Sequence, residues 1–488
     1  MRRLLAVQGT ASGVGKSLIA AGLLRYFARK GLRVAPFKAV NMSLHSGVTP
    51  LGEEMARSQI LGAQAAGIPP DSRMNPILLK PEGGSVQVVL RGKVSGRFPS
   101  FSPFPREVFW RAIVESLESL LAEYNFVIVE GMGSPAEINL RERDLANMSL
   151  ARSFGIPVLL VGDIERGGVF AALYGTWALC GEDRKLIRGF VINKLWGDSE
   201  VLRPGIRELE ELTGVPVLGV LPHFPWSLDD EDSALFTFRP RVLSSCALRV
   251  GVLRLPHASN LTDFRPLELE DDVDISFVSL KGRFDDFDLL ILPGTKSTLA
   301  DLAAAWEVSL GERLKAFVAK GGVVLGVCGG FQMLGEVLQD PHGVEGGGEM
   351  QGLGLLPAVT VFAREKRLSL ASGYAPLFGE RVEGYEIHHG RSFKTAPCEA
   401  FFVLDGGEPE GMVRDGCIFG TYLHGLFDEG RFRRAFLNYV RALRGLPPYA
   451  QESLSWREFV DRELDRLAGF LSCHLNMPLL ERILALSE

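Results

Sequence analysis

With 488 residues the chain has room for roughly two to four domains, each able to bury a core of its own. Apolar residues at 46% and charged residues at 23% lie near the globular average, which excludes fibrous, coiled-coil and wholly disordered classes. A net charge of −6 without a long Lys/Arg run argues against general nucleic-acid binding.

The first half alternates short apolar runs with amphipathic stretches, the rhythm of a parallel sheet with helices on both faces. Strands are predicted at Leu4–Gln8, Val34–Lys38, Phe126–Glu130, Val158–Asp163, Gly189–Asn193 and Val217–Leu221. Val108, Ile113, Leu117, Leu120 and Leu121 recur at helical spacing, so a helix should precede the third of them. After the first strand stands Gly9-Thr10-Ala11-Ser12-Gly13-Val14-Gly15-Lys16-Ser17, followed by an apolar helix from Leu18. Small residues there let backbone N–H groups curl around phosphate oxygens, while Lys16 neutralises the β and γ phosphates and Ser17 can hold Mg²⁺. Lys38 and Glu130 each end a predicted strand at the sheet's carboxyl edge, where ligands of such sheets bind. A carboxylate there reaches a metal, and a lysine faces a phosphate or a substrate carboxylate. On residue type alone, Glu130 also fits a helix-capping acid and Lys38 a solvated edge lysine.

The rhythm breaks at Pro222–Pro240, whose prolines and acidic run Asp229–Asp232 resist a packed core. We therefore expect a first domain over 1–235, a linker over 236–247 and a second α/β domain over 248–446. Its predicted strands are Leu248–Leu255, Ile275–Ser279, Phe287–Leu292 and Val323–Val327, the last feeding a helix from about Phe331. Leu353–Phe362, Gly384–Ile387 and Cys417–Leu423 read as a strand-rich end, and 447–488 as a helical tail. Cys328 stands between a buried strand and a helix, flanked by Gly326, Gly329 and Gly330. Glycines permit the strained turn that projects a nucleophile, the helix start favours a thiolate, and adjacent N–H groups can hold an oxyanion. His424, at the end of a later strand-like run, is the expected base, since Cys/His pairs meet in space rather than in sequence.

The displaced spacing Gly-Thr-x-Ser-x-Val-Gly-Lys-Ser resembles the modified phosphate loop of dethiobiotin synthetase and its amidoligase relatives, which activate carboxylates with ATP. That resemblance implies an ATP site of Thr10, Ser12, Gly13, Val14, Gly15, Lys16, Ser17, Lys38 and Asn193, with Asn193 on the adenine and Mg²⁺ held by Ser17 and Glu130. The Cys328 segment resembles class I glutamine amidotransferases, which release ammonia from glutamine through a cysteinyl thioester. Their usual His-x-Glu pairing is missing, because Leu426 stands two residues after His424. A carboxylate orienting the imidazole must come from elsewhere or the site is a dyad; Glu386 and Asp428 are the candidates, and His388 or His389 fits either a second imidazole or a substrate-facing or structural role.

Together with Asp163-Ile164-Glu165-Arg166-Gly167-Gly168, Asn260-Leu261-Thr262-Asp263-Phe264, Leu292-Pro293-Gly294-Thr295 and Gly384-Tyr385-Glu386-Ile387-His388, these segments resemble the cobyric acid synthase family along nearly the whole chain. The resemblance implies glutamine and a corrinoid polycarboxylate as substrates, with ATP and Mg²⁺. Where that family usually has Gln and Asn, this chain has Val40 and His45, a departure next to Asn41–Ser46. The alternatives are a cobyrinic acid a,c-diamide synthase and, in a different class, a phosphate-loop ATPase switch. The six scattered cysteines show no zinc spacing, no run before Gln8 makes a signal core, and no apolar stretch reaches a membrane span. The expected location is the cytoplasm, with no membrane or nucleic-acid partner.

Overall fold

The apolar runs of the first half form a six-stranded sheet of β1 (Arg3–Gly9), β2 (Val34–Phe37), β3 (Phe126–Glu130), β4 (Val158–Asp163), β5 (Ile187–Leu195) and β6 (Val217–Pro222). The computed structural model describes residues 3–82, 85–99, 105–228, 238 and 247–485. All pairs in this sheet are parallel, in the order β6-β5-β4-β1-β3-β2. Strands covered on both faces must be apolar throughout rather than alternating, and β3 is buried at every position. The strand order reverses beside β1, so the loop after β1 opens at the switch point where such sheets bind ligands.

The predicted helix precedes β3 as Arg106–Glu123. Missing from the predicted elements is a four-stranded sheet in the stretch between β2 and that helix: Val40–Met42, Ile77–Glu82, Ser85–Leu90 and Lys93–Pro99.

The second series builds a sheet of β7 (Leu248–Arg254), β8 (Val273–Ser279), β9 (Leu289–Leu292), β10 (Val323–Val327), β11 (Met412–Arg414) and β12 (Ile418–Thr421), ordered β8-β7-β9-β10-β12-β11. It is parallel except for the edge strand β11. The helix after β10 begins at Gly329, two residues earlier than expected from the apolar spacing. The run expected at Leu353–Phe362 pairs only from Ala358, where a long hairpin of Ala358–Ala375 and Glu380–Lys394 starts.

By compactness the chain divides into one unit of Met1–Ser43, Glu53–Ala234 and Val460–Glu488 and another of Leu44–Gly52 and Leu235–Phe459. Of the linker expected over 236–247, all but Phe238 and Ala247 lies outside the described residues. The expected tail is helical at Trp456–His474 and Met477–Ala485, and from Val460 onward it counts with the first unit. Gly22 of the helix Lys16–Arg29 lies so close to Leu467 and Leu471 that an added Cβ would stand 2.5 Å from Leu471 Cδ1. Arg25 Nε donates to Asp465 Oδ1 at 2.6 Å beside that contact. No described helix is long and apolar enough to cross a membrane.

Candidate functional site

In the first unit the loop after β1 closes on itself before the helix Lys16–Arg29 begins. Gly13 and Gly15 hold φ of 73° and 95°, the left-handed region that costs glycine nothing. An added Cβ on Gly15 would stand 2.4 Å from Asn193 Nδ2, so the loop and the end of β5 touch. Asn193 Nδ2 donates to Val14 O at 2.9 Å, and Lys194 Nζ donates to Gly13 O at 2.6 Å and to Asp163 Oδ2 at 2.9 Å. Asn193 thus braces the loop backbone with its amide. Thr10 joins the loop to β4 by donating its N–H to Val161 O at 2.9 Å, while Ser12 is exposed at the rim.

Lys16 is buried, with Nζ donating to Ala11 O at 3.0 Å, so its ammonium already curls over the loop. Ser17 Oγ donates to Glu130 Oε1 at 2.6 Å, and Lys38 Nζ pairs with the same oxygen at 2.9 Å. Gln59, on the helix Arg57–Ala66, donates to Glu130 Oε2 at 3.1 Å. All four side chains are buried. Ser17, Lys38 and Glu130 therefore meet, as their placement at strand and helix ends suggested; Gln59 was not singled out from the sequence, because nothing local marks it. Two hard oxygens, Ser17 Oγ and a Glu130 carboxylate oxygen, converge on one point, the donor chemistry that suits Mg²⁺. Among the described residues no group of three His, Cys, Asp or Glu could hold a metal ion.

In the second unit Cys328 holds φ 51° and ψ −110°, a strained conformation for a residue with a Cβ. Its neighbours are glycine for steric reasons. An added Cβ on Gly330 would stand 2.1 Å from Leu292 O, and one on Gly329 2.5 Å from Thr295 Cγ2. Cys328 N donates to Thr421 O at 2.7 Å, tying the turn to the strand that leads into His424. Gly294 lies against both side chains: an added Cβ there would stand 3.3 Å from His424 Cε1 and 3.7 Å from Cys328 Cβ. The structure brings Cys328 and His424 together across 96 residues of sequence.

The carboxylate that orients His424 is neither of the two suggested by the sequence. Glu386 is taken by Arg367 Nε at 2.7 Å and Ser369 Oγ at 3.1 Å, while the main-chain N–H of Asp428 donates to Gly425 O at 2.9 Å in a turn. Instead Asp263 Oδ2 accepts from His424 Nδ1 at 2.6 Å, with both side chains 1% exposed. That leaves Nε2 as the ring nitrogen for the thiol. Burial alone would push the imidazole pKa down, but the charges of Asp263 and Cys328 outweigh it and hold the pKa up, at about 10. His388 is engaged elsewhere: its Nδ1 bonds Gly390 O at 2.6 Å, its ring stacks on Tyr422, and Nε2 lies 3.6 Å from Glu386. His389 Nδ1 bonds Ala363 O at 3.2 Å.

Beneath this site Glu410 accepts from Tyr422 N–H at 2.6 Å and Thr421 Oγ1 at 2.7 Å, two and three residues before His424. Burial raises its pKa from 4.5 to about 7 despite those bonds. The folded state therefore binds this proton more tightly than the unfolded chain. The stability it contributes is complete below about pH 4.5 and lost as pH rises through about 7, an effect of up to about 3 kcal/mol. Thermal unfolding midpoints measured from pH 5 to pH 8 should fall for the parent protein, and Glu410→Gln should flatten that fall. Glu345, held at about 7 by burial, acts with the same sign.

Residues 5–227 match the CobQ/CobB/MinD/ParA nucleotide binding domain, and residues 249–432 the CobB/CobQ-like glutamine amidotransferase domain. The cobyric acid synthase of Desulforudis audaxviator is 46% identical over 99% of each chain. That of Salmonella typhimurium is 44% identical over 98% of this chain and 97% of its own, and that of Trichormus variabilis 44% over 97% and 98%. Identity at this level along nearly the whole of both chains makes this protein a member of the cobyric acid synthase family.

Proposed function

We propose that the protein amidates the b, d, e and g carboxylates of adenosylcobyrinic acid a,c-diamide, using ATP and glutamine, to give adenosylcobyric acid. The observation that carries this reading is the pairing, on one chain with full-length kinship to cobyric acid synthases, of a phosphate loop facing Lys38 and Glu130 with a strained cysteine facing a histidine–aspartate pair.

A carboxylate resists ammonia because its oxygen leaves badly. Transfer of the γ-phosphoryl group of ATP to a carboxylate oxygen releases ADP and leaves an acyl phosphate, whose phosphate ammonia then displaces to form the amide. Lys16 and Lys38 offset charge on the transferring group, and loop N–H groups hold the remaining phosphates. Ser17 and Glu130 would hold Mg²⁺, which when bound neutralises charge on the β and γ phosphates.

In the second unit the Cys328 thiolate attacks the side-chain amide carbon of glutamine. His424, protonated through the neutral range, gives its Nε2 proton to the leaving nitrogen, and ammonia departs. The neutral imidazole then takes a proton from the water that hydrolyses the thioester, releasing glutamate. Asp263 holds the ring in the tautomer and orientation that both steps need.

The test is mass spectrometry of corrinoid incubated with ATP, Mg²⁺ and glutamine. The a,c-diamide should acquire four successive carboxyl-to-amide mass changes. Turnover of cobyrinic acid that stops at the a,c-diamide would assign the protein to the diamide synthase instead, and ATP hydrolysis without amidation or glutamate release would leave only a nucleotide switch.

A further inference from the structure

Residues Leu44–Gly52 follow Lys38 closely in sequence yet belong to the second unit, where Ser46 bonds to two neighbours of the His424–Asp263 pair. Ser46 is fully buried. Its N–H donates to Asn260 Oδ1 at 3.1 Å, and its carbonyl accepts from the hydroxyl of Tyr385 at 3.1 Å. Val48 packs on Tyr385 and Ile387 and fixes the segment there.

Both partners of Ser46 lead to the catalytic pair. Asn260, at φ 52°, opens the turn that carries Asp263 and accepts the Asp263 N–H at 3.0 Å through its own carbonyl. Tyr385 lies opposite His424 in the strand pairing, with its ring parallel to the imidazole at 5.1 Å and 15°. Its hydroxyl also lies 3.4 Å from Asp263 Oδ1, the oxygen that His424 does not use.

A phenol has one proton to donate. Directed at Ser46 O, that proton does not draw on the Asp263 charge that holds the imidazolium; directed at Asp263, it neutralises part of the carboxylate's charge and weakens that hold. We propose that Tyr385 is a positioning residue for the His424–Asp263 pair, and that the main chain of Ser46 sets which acceptor its hydroxyl serves, so that residues 44–52 tune the glutaminase. This rests on the role assigned above to Cys328 and His424.

The experiment compares the full-length protein, Tyr385→Phe, Asn260→Gly and the double variant. Asn260→Gly removes the acceptor of the Ser46 N–H while keeping a residue that tolerates positive φ. Two readouts are taken across pH: glutamate release, and alkylation of Cys328 by iodoacetamide. Amidation from ammonium salt on the same samples reports folding.

Tyr385→Phe should lower kcat for glutamine about tenfold, with KM within about twofold. The limb of the pH profile governed by His424 should move up by about half a unit, because the hydroxyl lies within reach of both acceptors and the share of its proton that reaches Asp263 Oδ1 is lost. Asn260→Gly removes one of the bonds that place Ser46 and should move the same limb down. That downward shift should vanish in the double variant, which has no hydroxyl to redirect. An unmoved limb in Tyr385→Phe, or an undiminished Asn260→Gly shift in the double variant, overturns the inference. If either single variant misfolds by the ammonium assay, alkylation of the Ser46→Ala and Tyr385→Trp variants replaces it. There Ser46→Ala, which keeps the peptide, must leave the limb in place and Tyr385→Trp must move it. A parent protein whose Cys328 alkylates along the expected limb but releases no glutamate would instead overturn the glutaminase assignment alone.

Discussion

Replacing Cys328 by serine is expected to abolish amidation from glutamine while amidation from ammonium salt persists. Serine fits the φ 51° turn as cysteine does, so the helix Gly329–Leu334 and its glycine contacts should survive. What is lost is the nucleophile, since a hydroxyl with a pKa far above that of a thiol is not ionised by His424. The expected loss in glutamate release is about 10⁴-fold or more, on the scale of other nucleophile knockouts. Corrinoid amides formed from ammonium chloride, counted by mass spectrometry, should appear at a rate close to that of the parent protein, because Lys16, Lys38 and Glu130 are untouched. Loss of both activities in a folded variant would show that nitrogen release and carboxylate activation are not divided between these two sites.

What was legible in the sequence was whatever is local. The loop Gly9–Ser17 and the turn Val327–Gly330 announce themselves because each packs its chemistry into a few consecutive residues between a strand and a helix. The parallel strands were readable for a related reason: a strand buried on both faces is an unbroken apolar run. The sheet over Val40–Pro99 was not. Lys93–Pro99 is exposed or half-buried along its whole length, and Val40–Met42 is only three residues long. The hairpin from Ala358 hid behind Arg364–Arg367, where the register shifts and the charged side chains break the alternation. Asp263 and Gln59 stayed invisible because their function is a distance in space. Asp263 reaches His424 across 161 residues, and Gln59 reaches Glu130 across 71. A run such as Asn260-Leu261-Thr262-Asp263-Phe264 stands out only as part of a family likeness. What makes its aspartate matter is burial beside an imidazole, which no spacing rule encodes.

Asp263→Asn should be the most damaging change to the glutaminase that leaves Cys328 and His424 in place. The amide matches the carboxylate in shape, so packing should hold. Its Nδ2 or Oδ1, however, offers His424 Nδ1 a neutral partner in place of a charge. Two consequences follow with definite signs. The charge that holds the imidazole pKa near 10 is removed while burial, which pulls the other way, remains, so the His424 limb in the alkylation profile of Cys328 should fall steeply toward or below the ordinary histidine range. Where the amide presents its NH₂ group to Nδ1, the ring is also driven to the tautomer whose Nε2 carries the proton when it should accept one. A histidine in the wrong tautomer costs about 10³- to 10⁴-fold in kcat in acyl-transfer sites of this design. Steady-state glutamate release should show that loss in kcat rather than KM, with ammonium-dependent amidation as the control for folding. A loss below about tenfold, or a limb that stays where the parent protein has it, would mean that Asp263 merely packs against the imidazole and that the pair works as a dyad of Cys328 and His424.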